Sequence, residues 1–281
     1  MIKNQIKTVI LLGALTGLLL LAGNLLGGTT GLAIGLIIAL TLNFTSYWFS
    51  DKIVLAIYKA KKATKKEYPE LHSMVKELAK KANIPKPEIY IIPSEISNAF
   101  ATGRNPKNSA VAVTNGILKI LNKNELKGVL GHELAHIANR DTLIATISAT
   151  IAGVISYLAL IARFAAIFGG GRNRDGGNII SLLLIAIITP IIATIIQLAI
   201  SRSREYIADE KGAKISGESK GLANALIKLE QESTRNPLRK GNHATSSLFI
   251  VNPFTAKGFI SLFSTHPKTE ERVKRLNAMK Y

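Results

Sequence analysis

The 281-residue chain is 47% hydrophobic and 19% charged, with a mean hydropathy of +0.23, which argues against a purely soluble globular protein. It contains no cysteine, so disulfide scaffolds, thiolate metal sites and cysteine nucleophiles are all excluded, while the redox compartment stays open. Lys and Arg number 36 against 18 Asp and Glu, a net charge of +18, yet the cations gather beside apolar runs as juxtamembrane charge does; without an interleaved aromatic and basic signature, nucleic acid is not an expected partner.

No charged residue occurs from Thr8 to Ser50. A glycine-rich stretch from Gly23 to Gly31 divides this run into halves of about 20 residues, each long enough to cross a hydrocarbon core. The second half ends in Phe44, Tyr47, Trp48 and Phe49, an interfacial aromatic belt ahead of Lys52. Residues 1–50 therefore read as a transmembrane hairpin; the alternative for the first half is a cleaved signal peptide, with Lys3 and Lys7 before an apolar core and Ala22-Gly23 after it.

Residues 51–142 read as the first part of a soluble domain. Leu71, Val75, Leu78 and Ala82 share one face of a helix from Tyr68 to Ala82, which Pro85 and Pro87 terminate. Glu88–Pro93 and Ala110–Thr114 have strand character and flank Ser97–Gly103, a third strand or strand edge. Asn122, with Glu125 three residues on, opens a helix through about Asn139.

Residues 143–200 form a second apolar pair, Leu143–Ala162 and Ile179–Ile200, both uncharged, with Pro190 kinking the latter. The glycines between Phe168 and Gly177 do not make a phosphate loop, since no strand precedes them and no Gly-Lys-Ser/Thr follows. Residues 201–281 complete the soluble domain: helix to Glu232, a polar stretch with Pro237 and Gly241, and a last helix near Thr269–Met279. The stretch from Arg235 to Phe254 is the segment expected to gate access.

Lys59, Lys61, Lys62, Lys65 and Lys66, together with basic termini, orient the soluble parts to the cytoplasm. Arg163, Arg172 and Arg174 run against this, leaving open that the third and fourth segments are buried or only partly inserted. The expected fold is mainly α with a small β-sheet (α+β), an integral membrane protein with about four transmembrane helices.

The chemistry centres on His132-Glu133-Leu134-Ala135-His136. Residues i and i+4 share a helix face, so both imidazoles can reach one zinc ion per chain, leaving positions for a third protein ligand and a water. Glu133, one residue along, can touch that water without binding the metal and act as general base and acid. The alternative is a surface helix with two histidines at helical spacing, against which the flanking Val129-Leu130-Gly131 argues.

Without cysteine the third ligand must be His, Asp or Glu, and Glu205 in Ser203-Arg204-Glu205-Tyr206-Ile207-Ala208-Asp209 is the best candidate. It follows the fourth apolar run as the histidine motif precedes the third, so a membrane hairpin would bring both helix ends together. Asp209, one turn on, can fix the tautomer of a ligating histidine. On spacing alone, Glu205 and Asp209 can equally be surface partners of Arg202 or Lys211. His72 and His243 sit among polar residues and read as solvated.

His132–His136, the following Asn139-Arg140-Asp141, Glu205–Asp209 and the upstream Asn98-Ala99-Phe100-Ala101-Thr102-Gly103 together resemble the HtpX family of membrane metalloproteases, which belong with the Ste24-like M48 peptidases. The resemblance covers nearly the whole chain. It implies a zincin-like cytoplasmic protease domain in which His132, His136 and Glu205 bind zinc, Glu133 is the catalytic base, and Asp209 orients a ligand, His132. It further implies that Asn98 holds the substrate backbone or the developing oxyanion, with a turn asparagine as the alternative. His266, in Thr265-His266-Pro267, would approach the metal as a transition-state donor or inhibitory ligand, or else is a surface histidine flanking a helix. The implied function is a zinc endopeptidase in the cytoplasmic membrane that cleaves misfolded or damaged membrane proteins, the substrate adding along an exposed strand near Asn98 and Ala110. Alternatives are a membrane chaperone or scaffold with a regulatory metal site, and a Ste24-like protease for prenylated C-termini.

Overall fold

The computed structural model describes residues 2–148, 151, 154, 202–235, 249–250 and 267–279. Helix α1 (Ile2–Trp48) is two helices joined at Gly27 and Gly28, where Gly28 takes φ 56°, a conformation favouring glycine. The break is tighter than the expected Gly23–Gly31 turn because the outer glycines have another use. A Cβ on Gly23 would lie 2.2 Å from the carbonyl oxygen of Gly31, and one on Gly35 would lie 2.5 Å from that of Leu19. The arms thus touch backbone to backbone, as small residues permit. Asn43 Nδ2 donates across them to Thr16 Oγ1 at 2.8 Å. Ile6–Leu25 and Gly27–Trp48 are long and apolar enough to cross a bilayer, and most of their side chains face outward.

A short helix α2 (Ser50–Ile57), not foreseen, follows the belt. Its Val54 and Leu55 pack with Ile92, Phe100, Ala110 and Ala112 on one face of a four-stranded sheet. The strands are β1 (Lys61–Lys62), β2 (Glu88–Ile92), β3 (Ala99–Asn105) and β4 (Asn108–Thr114), in spatial order β1-β2-β4-β3. β2 and β4 are parallel and the other pairs antiparallel. Period-2 alternation sends Ile89, Ile91, Ala99, Ala101, Val111 and Val113 to the opposite face and the main core. β3 is an edge strand. Ala110, expected beside the substrate, lies instead on the interior strand β4, paired on both sides and buried, so it offers no free edge.

Against the main face pack α3 (Pro69–Lys81) and α5 (Lys123–Asn139), with α4 (Asn115–Ile120) as connector. The Asn122–Glu125 capping box is formed, and α5 ends at Arg140 in the left-handed conformation. Helix resumes at 142–148, where Ile144 and Ile147, with Ile151 beyond, pack on Leu11, Leu15, Leu19 and Ala39 of the hairpin. The rest of the second apolar pair lies outside the described residues.

The C-terminal part supplies α6 (Arg202–Ser216), α7 (Ser219–Arg235) and α8 (Thr269–Asn277), close to the sequence expectation. Leu222, Leu226 and Leu229 of α7 and Leu276 of α8 join the main core. Glycines again set the approach. A Cβ on Gly131 of α5 would lie 2.6 Å from Gly212 O on α6, and one on Gly212 would lie 2.6 Å from the backbone of His132. The α5–α6 crossing therefore falls at the histidine motif.

Candidate metal centre

Helix α5 presents His132 and His136 on one face, and the crossing brings Glu205 opposite them from α6. Nε2 of His132 and Nε2 of His136 are 3.1 Å apart. Glu205 Oε2 lies 3.7 Å from the first and Oε1 3.6 Å from the second. Donor atoms around one tetrahedral zinc at about 2.0–2.1 Å stand about 3.3–3.4 Å apart. The three side chains therefore have the spacing, and the nitrogen and oxygen chemistry, of ligands to a single small cation. The alternative of a surface couple with Arg202 or Lys211 is overturned for this pair, because Glu205 and Asp209 are both buried.

Each imidazole has a carboxylate behind it. Asp209 Oδ1 lies 2.9 Å from His132 Nδ1. Asp141 Oδ2 lies 3.3 Å from His136 Nδ1. A carboxylate at Nδ1 keeps the proton there and leaves the Nε2 lone pair aimed at the shared point. Burial alone would lower the His136 pKa, but Asp141, Glu205 and Glu133 outweigh it and push the imidazole up to about 9. Burial works in the same way against the Asp209 carboxylate, yet Arg272 beside it holds it below the usual range. The neighbourhood thus holds four buried carboxylates, Glu133, Asp141, Glu205 and Asp209. Two guanidinium groups face them: Arg272, in contact with Asp209, and Arg204, 3.8 Å from Asp141.

Glu133 points away from the ligand cluster's outer partners and toward the sheet. Its Oε2 accepts the Ala101 N–H of β3 at 2.8 Å. Burial raises its pKa, with Glu205 adding to the rise and the imidazoles opposing it. A carboxyl held by one oxygen and poised by burial is suited to moving protons.

Asn98 sits elsewhere in the chain of contacts. Its Oδ1 accepts the Ile250 N–H at 3.2 Å, and its backbone pairs with Thr114. His266 and most of the expected gating stretch 235–254 lie outside the described residues, as does His243. His72 is not simply solvated, since it is half-buried with Nε2 3.0 Å from Ala63 O. Sequence reasoning missed the roles of Asp141, Arg204 and Arg272. Asp141 and Arg204 stand within the quoted stretches but carry no pattern of their own. Arg272 shares a helix face with Thr269 and Leu276, all three buried, and that spacing was the available signal.

Residues 65–280 match the model of peptidase family M48. A protease HtpX homolog of Pyrococcus furiosus is 55% identical over 272 residues, 96% of this chain and 94% of its own. One from Aquifex aeolicus is 57% identical over 266 residues, covering 92% and 88%. One from Syntrophobacter fumaroxidans is 49% identical over 280 residues, covering 98% and 99%. The fold is also similar to the crystal structure of S. mikatae Ste24p, with a TM-score of 0.54, 21% identity, and coverage of 98% of this chain and 66% of that one. Family-wide match and near-full-length identity agree with the ligand cluster and the apolar hairpin, and the chain belongs to peptidase family M48 as a membrane metallopeptidase.

Proposed function

We propose that the chain is a zinc endopeptidase of the cytoplasmic membrane, cleaving misfolded or damaged membrane proteins on the cytoplasmic side. His132, His136 and Glu205 hold one zinc ion, and the observation carrying this is their 3.1–3.7 Å donor spacing around a common point. The domain limits are 1–50 for the first hairpin, 51–142 and 201–281 for the two parts of a zincin-like domain, and 143–200 for a second hairpin, making four membrane helices. Packing of Ile144 and Ile147 on the first hairpin supports the second hairpin's place in the same bundle. The dense lysines after the second span support the orientation.

When bound, zinc supplies a Lewis acid that polarises a carbonyl and lowers the pKa of a water toward about 7. Glu133, anchored through Oε2 to Ala101, takes the proton of the attacking water and returns it to the departing amine nitrogen. Asp209 and Asp141 hold the two imidazoles in the ligating tautomer. Ala101 directs its N–H to Glu133, so β3 runs alongside the reacting centre, and an extended substrate adds beside it. Asn98, just before β3, is the substrate-side amide, and His266 is a third histidine, approaching the metal as a transition-state donor or inhibitory ligand.

Glu133→Gln tests the reading. Cleavage of a co-expressed membrane substrate should fall by about 10²–10⁴-fold with zinc content unchanged. Persistent cleavage would reject Glu133 as the base and return the chaperone or scaffold alternative to contention.

A further inference from the structure

The largest fully buried side chain of the described residues is an arginine, Arg272, only 1% exposed. It belongs to α8, and none of the motifs above includes it. Nε donates to Asp209 Oδ2 at 2.8 Å and Nη2 to Asp209 Oδ1 at 2.7 Å, a two-bond fork on one carboxylate. Nη1 donates to the Ile250 carbonyl at 3.0 Å and stands 3.8 Å from Glu205 Oε2. Asp209 Oδ1, gripped by this fork, is the same oxygen that lies 2.9 Å from His132 Nδ1.

Burying a guanidinium is costly, and packing alone would be served better by an aliphatic side chain. An arginine at this place does something an apolar residue cannot: it fixes both oxygens of Asp209. A carboxylate held at both oxygens cannot rotate, and the imidazole hydrogen-bonded to it inherits that orientation. The same guanidinium also faces Glu205, so one cation stands behind an acid on each side of the ligand set.

We propose that Arg272 is a positioning residue of the metal centre, clamping Asp209 so that His132 presents Nε2 to the ion, and balancing Glu205. The proposal rests on His132, His136 and Glu205 being the ligands. It makes the docking of α8 a condition of a well-formed site, since the helix that buries Leu276 in the core also delivers the clamp.

The test uses the full chain in detergent, stripped of metal and titrated with cobalt(II) against a competing chelator, with the visible cobalt absorption recorded. Arg272→Gln should weaken cobalt retention by about 10–100-fold and shift the absorption bands. Arg272→Lys keeps the charge opposite Asp209 but not the planar fork, so it should fold, retain cobalt less tightly than the wild type and shift the bands too. Arg275→Ala serves as control. Arg275, on the same helix as Arg272, stacks 3.7 Å from the centre of the Tyr206 ring of α6 but does not reach Asp209, so affinity and spectrum should stay as in the wild type. An Arg272→Gln or Arg272→Lys protein that folds with wild-type affinity and spectrum overturns the proposal. So does equal weakening by Arg275→Ala, or failure of both Arg272 variants to fold, which would assign Arg272 to structure alone. Failure of the underlying ligand assignment reads differently: the wild type would bind no cobalt, or Glu205→Ala would bind it unchanged.

Discussion

At Glu133 a single backbone amide decides how the acid is held. The carboxylate hangs by Oε2 from the N–H of Ala101, a strand residue with no reactive group of its own. Spacing within the histidine motif points to the acid; it does not point to the strand that holds it. The same is true of the carboxylates behind the imidazoles. Asp209 was legible because it lies one turn from Glu205 on one helix face. Asp141 was not: it follows the left-handed end of α5 at Arg140, and only that chain reversal turns it back toward His136. Asp141→Asn should therefore lower zinc affinity by about 10–100-fold without unfolding the protein. Chelator competition against the wild type checks this, and unchanged affinity would leave Asp141 with no part in orienting His136.

Between elements, glycine contacts set the site's geometry. Gly131 and Gly212 let α5 and α6 approach until a Cβ on either would sit 2.6 Å from opposing backbone. Gly131→Ala must push the helices apart, at a cost of about 1–3 kcal/mol for overpacking. Because His132 is the next residue, metal affinity should fall together with thermal stability. Gly17→Ala, where an added Cβ meets nothing within 4 Å, is the comparison and should change neither. Thermal unfolding with metal analysis on both variants separates the outcomes; a Gly131→Ala protein of normal stability and metal content would show that the helices have slack. Periodicity identified α3, which buries one face, and the Asn122–Glu125 cap marked the start of α5. Sequence patterns did not place α2, which is only eight residues long, nor the strand order, in which β3 skips past β4 to the edge.

Across the whole molecule, the apolar hairpin and the peptidase domain are joined physically. Ile144 and Ile147, close beyond the histidine helix, pack on Leu11 and Leu15 of the hairpin. Arg104, at the end of the β3–β4 hairpin, stacks 4.3 Å from the centre of the Trp48 ring in the aromatic belt. The sheet that borders the site is thereby tied to the aromatic end of the hairpin. Orientation is open to direct measurement because the chain has no cysteine. In intact cells, a membrane-impermeant maleimide should label Thr29→Cys, at the exposed hairpin turn, and not Lys65→Cys, exposed in the soluble domain. The opposite pattern would invert the proposed topology.

Local order alone determined the apolar arms, the capped helix carrying His132 and His136, and the nature of the metal chemistry, because all of these rest on periodicity and on residues four apart. Glu205 was foreseen only as one choice among acids. Its selection, the amide on Glu133 and the arginine under Asp209 were decided by tertiary structure. Those contacts join residues 32 to 73 positions apart (Ala101 to Glu133, Asp209 to Arg272, His132 to Glu205), and across such distances no local periodicity acts; only helix crossings and strand order bring the groups within bonding range.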